Sequence, residues 1–259
     1  MKKVLGFISV FLFSLIFSQS VFALEEENID YNGNVYSKDS LSEETLEWIA
    51  WYNDLSDEAR QMVSYVPEEL YNGICSYTGI TTSESVVLKE NKPVYFAIGL
   101  LPTSGYEPIY NPDYWNSSDN IKKANCYAYA MDVICGSEMK LQPGQLSGKM
   151  FTSLTEKAIF TAVSNDGLYL GNGRSIRRAS KDETPGVNEY KVALVIAPNK
   201  DYHWYIQNRD GYWSHKPGYL QATDLDAGGN KITDPQTCNR NYDDLNYSTF
   251  CGYYIVTRK

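Results

Sequence analysis

Histidine is the scarcest reactive side chain in this 259-residue sequence, which has only His203 and His215. A three-histidine or HExxH zinc site cannot be assembled from two, so any histidine-dependent chemistry must use one or both of them. Basic charge is also short: 23 Lys and Arg face 32 Asp and Glu, and no basic run interrupts the balance. A formal charge of −9 leaves no electrostatic footprint for nucleic acid or for an anionic membrane surface. The five cysteines include no CxxC pair, which argues against a zinc ribbon or a redox dithiol. There is no internal repeat, no low-complexity tract and, beyond the N-terminal segment, no apolar run that could span a bilayer. What the chain has in quantity is apolar and aromatic surface: 43% hydrophobic residues, 14% aromatics and 22 tyrosines. That composition buries a core and implies one or two globular domains.

The first residues form an address. Lys2 and Lys3 precede an apolar stretch from Val4 to Phe17, and Val21-Phe22-Ala23 then leads into the acidic Leu24-Glu25-Glu26-Glu27. This order of charged, apolar and small-residue regions predicts a secretory signal peptide over residues 1–23, cut after Ala23, and an exported product without a membrane span. Export changes how the cysteines are read. In an oxidising compartment an even set pairs, and five leave one spare among Cys75, Cys126, Cys135, Cys238 and Cys251. If Cys126 is the spare thiol, three pairings of the others are open; Cys238 and Cys251, close in sequence, are one candidate pair.

Along the chain, Ser42 and Ser56 each open a helical pattern, the second stopped by Pro67. Residues 86–88 and 94–98 read as strands. The Pro/Asn/Tyr-rich stretch 108–118 marks the expected boundary between an N-terminal extension of open role, residues 24–114, and a second domain, residues 115–259. In that domain a helix is expected over 125–134 and another from Ser153 to about Val163, with Ser153 and Glu156 as a capping box. Strands follow at 190–197, 203–207, 212–215 and 252–256. Helices first and an antiparallel meander afterwards make the fold class α+β. Asp224-Leu-Asp-Ala-Gly-Gly-Asn230 looks like part of a calcium loop but lacks the later bidentate glutamate, so no metal is expected there. No other metal site and no cofactor are expected either.

Two features carry potential chemistry. Asn125-Cys126-Tyr127 places a cysteine in the first turn of a helix, where free N–H groups and the helix dipole favour a thiolate. His203 opens a strand, and the strand that returns beside it ends on His215, within reach of the His203 ring. A nucleophile, a base and a residue that orients the base would complete a triad.

Cys126-Tyr-Ala-Tyr-Ala130 resembles the sequence that opens the catalytic helix of papain-like cysteine peptidases. A histidine as third member is similar to the NlpC-type cell-wall endopeptidases. Over about residues 115–259 the resemblance implies a papain-like core, a nucleophile helix packed on an antiparallel sheet, with the small helical and β extension before it. It also implies Cys126 as nucleophile, His203 as base and His215 as its orienting residue. The amides of Asn120 and Asn125 stand where that family carries an oxyanion-binding glutamine. The function so implied is a secreted thiol hydrolase cleaving an amide or peptide bond, with a peptide or peptidoglycan-like substrate. The alternative is a non-catalytic secreted module in which a tyrosine-rich sheet binds glycan or protein and the cysteines form structural disulfides.

Overall fold

A computed structural model of the protein describes residues 27–71 and 99–259. The expected signal segment, the strands expected at 86–88 and 94–98, and Cys75 lie outside the described residues.

The described chain begins with a hairpin, Asn28–Tyr31 (β1) and Asn34–Ser37 (β2), paired antiparallel. Asn32 and Gly33 turn it with φ of 51° and 79°. Two consecutive left-handed residues are what a two-residue hairpin turn requires, and Asn-Gly supplies them at least strain. The hairpin belongs to a first unit that ends at Ser40.

Leu41–Lys259 forms a second unit. Helices Glu43–Asp54 (α1) and Asp57–Met62 (α2) open it, and the side chains of Ser42 and Ser56 accept from Thr45 and Ala59 N–H as N-caps. The Trp48 indole N–H donates to the Lys200 carbonyl (2.8 Å), while Ser64 and Tyr65 N–H donate to the Asp201 carboxylate (3.0 and 2.7 Å). The short helix Pro112–Trp115 (α3) sits in the stretch expected to be a boundary, and that stretch lies within this unit.

Helix Cys126–Ala130 (α4) is five residues long instead of the ten expected. Asp132 adopts φ 53°, and a left-handed residue cannot continue a right-handed helix. Helix Glu156–Asp166 (α5) is capped by Thr155, not by Ser153. The Glu156 carboxylate, expected to close a capping box, instead takes the Arg178 guanidinium and the Tyr254 hydroxyl.

The rest is a five-stranded antiparallel sheet in the order β3-β9-β4-β5-β6, made of Arg174–Ala179 (β3), Glu189–Ala197 (β4), Asp201–Gln207 (β5), Trp213–His215 (β6) and Thr249–Arg258 (β9). A two-stranded ribbon, Asn241–Tyr242 (β7) and Leu245–Asn246 (β8), precedes β9. Mixed helix and antiparallel sheet agrees with the α+β expectation.

Successive side chains on a strand face opposite ways, and the register sorts them into two layers. Tyr202, Trp204 and Ile206 of β5 share a buried cluster with Leu194 and Ile196 of β4, Tyr254 of β9, all of α4, and Ile159, Ala162 and Val163 of α5. His203, Tyr205 and Gln207 point to the other face, and there the paired residues of β6 are His215, opposite Tyr205, and Trp213, opposite Gln207. The excursion between β6 and β9 covers that second face, bringing Tyr242 and Tyr247 against the two histidines. β5 is therefore buried from end to end.

Candidate functional site

The two histidines meet. His203 Nε2 lies 2.8 Å from His215 Nδ1, and His215 Nε2 lies 3.0 Å from the Leu225 carbonyl oxygen. That oxygen only accepts, so His215 Nε2 carries a proton. A neutral His215 then accepts at Nδ1, and His203 donates to it from Nε2. His203 Nδ1 is left as a buried lone pair with no hydrogen-bond partner among the described residues. Tyr205 and Tyr247 pack on the His203 ring at centroid distances of 5.1 and 5.2 Å. Burial pushes His215 down to about 4; burial, and then the neighbouring His215, push His203 well below its ordinary value. The pair is neutral at neutral pH.

Cys126 opens α4. It is fully buried in the helix-side cluster, and its Sγ lies 3.8 Å from the Tyr202 carbonyl oxygen. Burial and then the nearby Asp201 carboxylate push its thiol well above the ordinary cysteine range. The thiolate expected from its place at a helix start does not form. The helix is too short to build much dipole, and the Asn125 side chain already occupies one of its free N–H groups, that of Ala128. The larger effect is desolvation, which disfavours the charged form. The Cys126 sulfur meets the main chain of β5 at Tyr202, while His203 Nε2 is taken by His215.

The oxyanion candidates are engaged elsewhere. The Asn125 amide N–H donates to the Leu141 carbonyl (3.0 Å), and the Asn120 amide donates to the Tyr114 carbonyl (3.0 Å). The candidate cysteine bridge is absent as well. Cys238 and Cys251 are free thiols; Cys251 packs against the helix-side cluster and Cys238 bonds to the Pro235 carbonyl in the covering excursion. In the pairing of β4 with β9, Leu194 opposes Gly252 and Val195 opposes Phe250, so Cys251 is the extra residue of a bulge. The calcium-like loop closes on itself: Asp226 accepts from the N–H groups of Gly228, Asn230 and Asn239. No group of metal-ligating side chains occurs among the described residues.

Several buried polar residues went unassigned in the sequence. Lys216 is fully buried and donates to the carbonyls of Ile121 (2.6 Å), Gly218 (3.0 Å) and Leu220 (3.0 Å), one acceptor for each ammonium proton. Burial lowers it to about 7. Asp201 accepts from Ser64, Tyr65 and Tyr202 N–H and from the Tyr247 hydroxyl, and burial still raises it to about 6. Ser214 meets the Tyr129 hydroxyl of α4 at 2.7 Å and donates to Asn208. Trp213 N–H bonds to the Ile232 carbonyl. At Gly218, φ is +44° and an added Cβ would stand 2.0 Å from the Gln61 carbonyl oxygen. Most of the segment Trp213-Ser-His-Lys-Pro-Gly218 is thus engaged in holding β6 and its continuation to the body of the fold.

No family model and no solved structure matches the chain. It is 33% identical over 147 residues to insoluble matrix shell protein 1 of Ruditapes philippinarum, a match that covers 57% of this chain and 88% of that protein. A relative named as a shell matrix protein overturns the expectation of a thiol hydrolase and cysteine peptidase, and burial that pushes the Cys126 thiol up accords with it. Where the triad was expected there is a neutral histidine pair whose inner nitrogens bond each other, and an enclosed thiol that burial keeps protonated. By the extent of this match, the chain belongs to the family of insoluble matrix shell protein 1.

Proposed function

We propose that the protein is a secreted, non-catalytic matrix component: a binding module that associates with other macromolecules outside the cell. The observation that carries this reading is the similarity to a shell matrix protein over 88% of that protein's length. The expected signal segment supports export, and no helix among the described residues is long and apolar enough to cross a membrane. A cysteine-led helix laid on an antiparallel sheet that also carries two histidines supports a papain-like layout of the core, without papain-like chemistry. The histidines, Lys216 and Asp201 are then stabilisers in and around the fully buried strand β5.

The test is co-sedimentation of the purified protein with the insoluble extracellular fraction of the cells that produce it, comparing wild type with Cys126→Ala. The reading expects both to sediment, and a wild-type protein left in the supernatant contradicts it. A Cys126→Ala protein that stays folded, shown by an unchanged circular dichroism spectrum, yet stays in the supernatant would contradict it.

A further inference from the structure

A cleft of about 140 Å³ opens where the start of α1, the 65–69 segment and the stretch before α5 meet. At roughly 30 Å³ per water it has room for about four or five waters. Its wall is aromatic: Trp48 meets Tyr65 edge-on at 5.8 Å, and Tyr65 meets Phe151 at 5.4 Å. The indole bond to the Lys200 carbonyl fixes the first ring. Glu44, Glu68 and Glu69 line the same cleft, and no lysine or arginine does. The Thr45 hydroxyl, and after it the Ser42 N–H and hydroxyl, hold Glu69 below the ordinary carboxylate value. None of the three carboxylates has an ion-pair partner among the described residues. Their charges converge, since after burial it is Glu44, Glu69 and Glu68 that lift the Tyr65 phenol to about 12.

We propose that this cleft receives the cationic head of a lysine or arginine side chain from a basic segment of a partner protein. Carboxylates at the rim suit an organic cation through charge pairing, with the partly exposed Tyr65 ring as a quadrupole face beside them. A metal ion is a poorer occupant, because no cluster of metal-ligating side chains occurs among the described residues. An amino-sugar polymer also carries ammonium groups, but sugar rings need open aromatic faces, and Trp48 and Phe151 are each only 4% exposed. A slender aliphatic stem with a charged tip fits an enclosed cleft better. The rest of the partner has a path as well. Phe151, Thr152 and Ser153 are shared with an adjoining open groove of about 420 Å³ along α5, where Asn165 can bond a peptide main chain; Lys149 and Lys157 also line it, so uncharged residues of the partner would lie there. The chain's net charge of −9 favours a basic partner.

The proposal rests on the binding-module reading and names its partner chemistry. Its test is calorimetric titration of the full secreted chain with a short Gly/Ser peptide bearing one central lysine, the same peptide acetylated on that lysine, and a glucosamine oligomer. The lysine peptide is expected to bind and the acetylated one not to. Glu44→Gln and Glu68→Gln, both at exposed positions, should each weaken binding about threefold and together about tenfold. Equal binding of the acetylated peptide, indifference to the double variant, or binding of the glucosamine oligomer in place of the peptide would overturn the proposal. A protein that still sediments with matrix while failing this titration loses the cleft assignment alone.

Discussion

His203 Nε2 and His215 Nδ1 stand 2.8 Å apart with their rings at 88°, and the proton between them belongs to His203. The Leu225 carbonyl fixes that assignment by taking the other proton, on His215 Nε2. The pair works as a neutral clasp between β5, β6 and the excursion that covers them. Protonating either ring would place a positive charge in a fully enclosed aromatic layer.

The clasp predicts acid sensitivity of a defined sign. Unfolded histidine titrates near 6.5, whereas His215 is lowered to about 4 and His203 well below 6.5. Below pH ~6.5 the unfolded chain binds protons that the native state refuses, so stability that is fully present above that pH is lost as the pH falls. For His215 the loss at pH 5 is on the order of 2 kcal/mol. Asp201, raised to about 6, acts in the opposite sense between about 6 and 4, because there the native state holds the extra proton. Urea titrations at pH 7.5 and 5.0 on wild type and on a His203→Gln/His215→Gln variant separate the two, since Asp201 is common to both. The wild-type midpoint is expected to fall further on acidification than the variant's; equal shifts would remove the clasp from the account.

Lys216 predicts a large loss from a change that conserves side-chain length. Lys216→Met leaves the carbonyls of Ile121, Gly218 and Leu220 buried without a donor. The cost should be about 3 kcal/mol or more. Chemical denaturation measures it, and a loss under about 1 kcal/mol would mean that the ammonium is solvated in solution.

Gly218 is set by both conformation and space. Gly218→Ala forces a Cβ onto the Gln61 carbonyl at a left-handed residue and should cost about 2 kcal/mol or more. Gly229→Ala is the control, with φ +76° but open space around the added Cβ, and should cost about 1 kcal/mol. Thermal melts of the two variants rank them; equal losses would mean that strain alone, and not the approach of residue 61, sets the requirement.

Much of the sheet was legible because β4 is a near-continuous apolar run and β5 and β6 flank a Gly-containing turn. The edge strand β3, Arg174-Ser-Ile-Arg-Arg-Ala179, was not, since an exposed edge carries charge where strand patterns carry apolar residues. The β1–β2 hairpin was missed although Asn32-Gly33 signals it. In the candidate site, two histidines across one hairpin were readable as neighbours, but which face they occupied was not. β5 is buried on both sides, so its pattern has no polar face to orient it. Only the packing of α4 on Tyr202, Trp204 and Ile206 shows that the cysteine is enclosed. The burial that silences Cys126 likewise comes from distant segments, residues 64–66 and 201–204 among them, that sequence spacing does not bring together.

The central claim is that Cys126 is an enclosed thiol that the histidine pair does not activate, and its most direct test is mass-resolved alkylation of the native protein at pH 7.5. Cys126 is expected to stay unmodified until the chain is unfolded, at a rate that substituting His203 does not slow, while the partly buried Cys238 and Cys251 react first. Rapid alkylation of Cys126 in the folded protein, abolished by His203→Ala, would contradict the account.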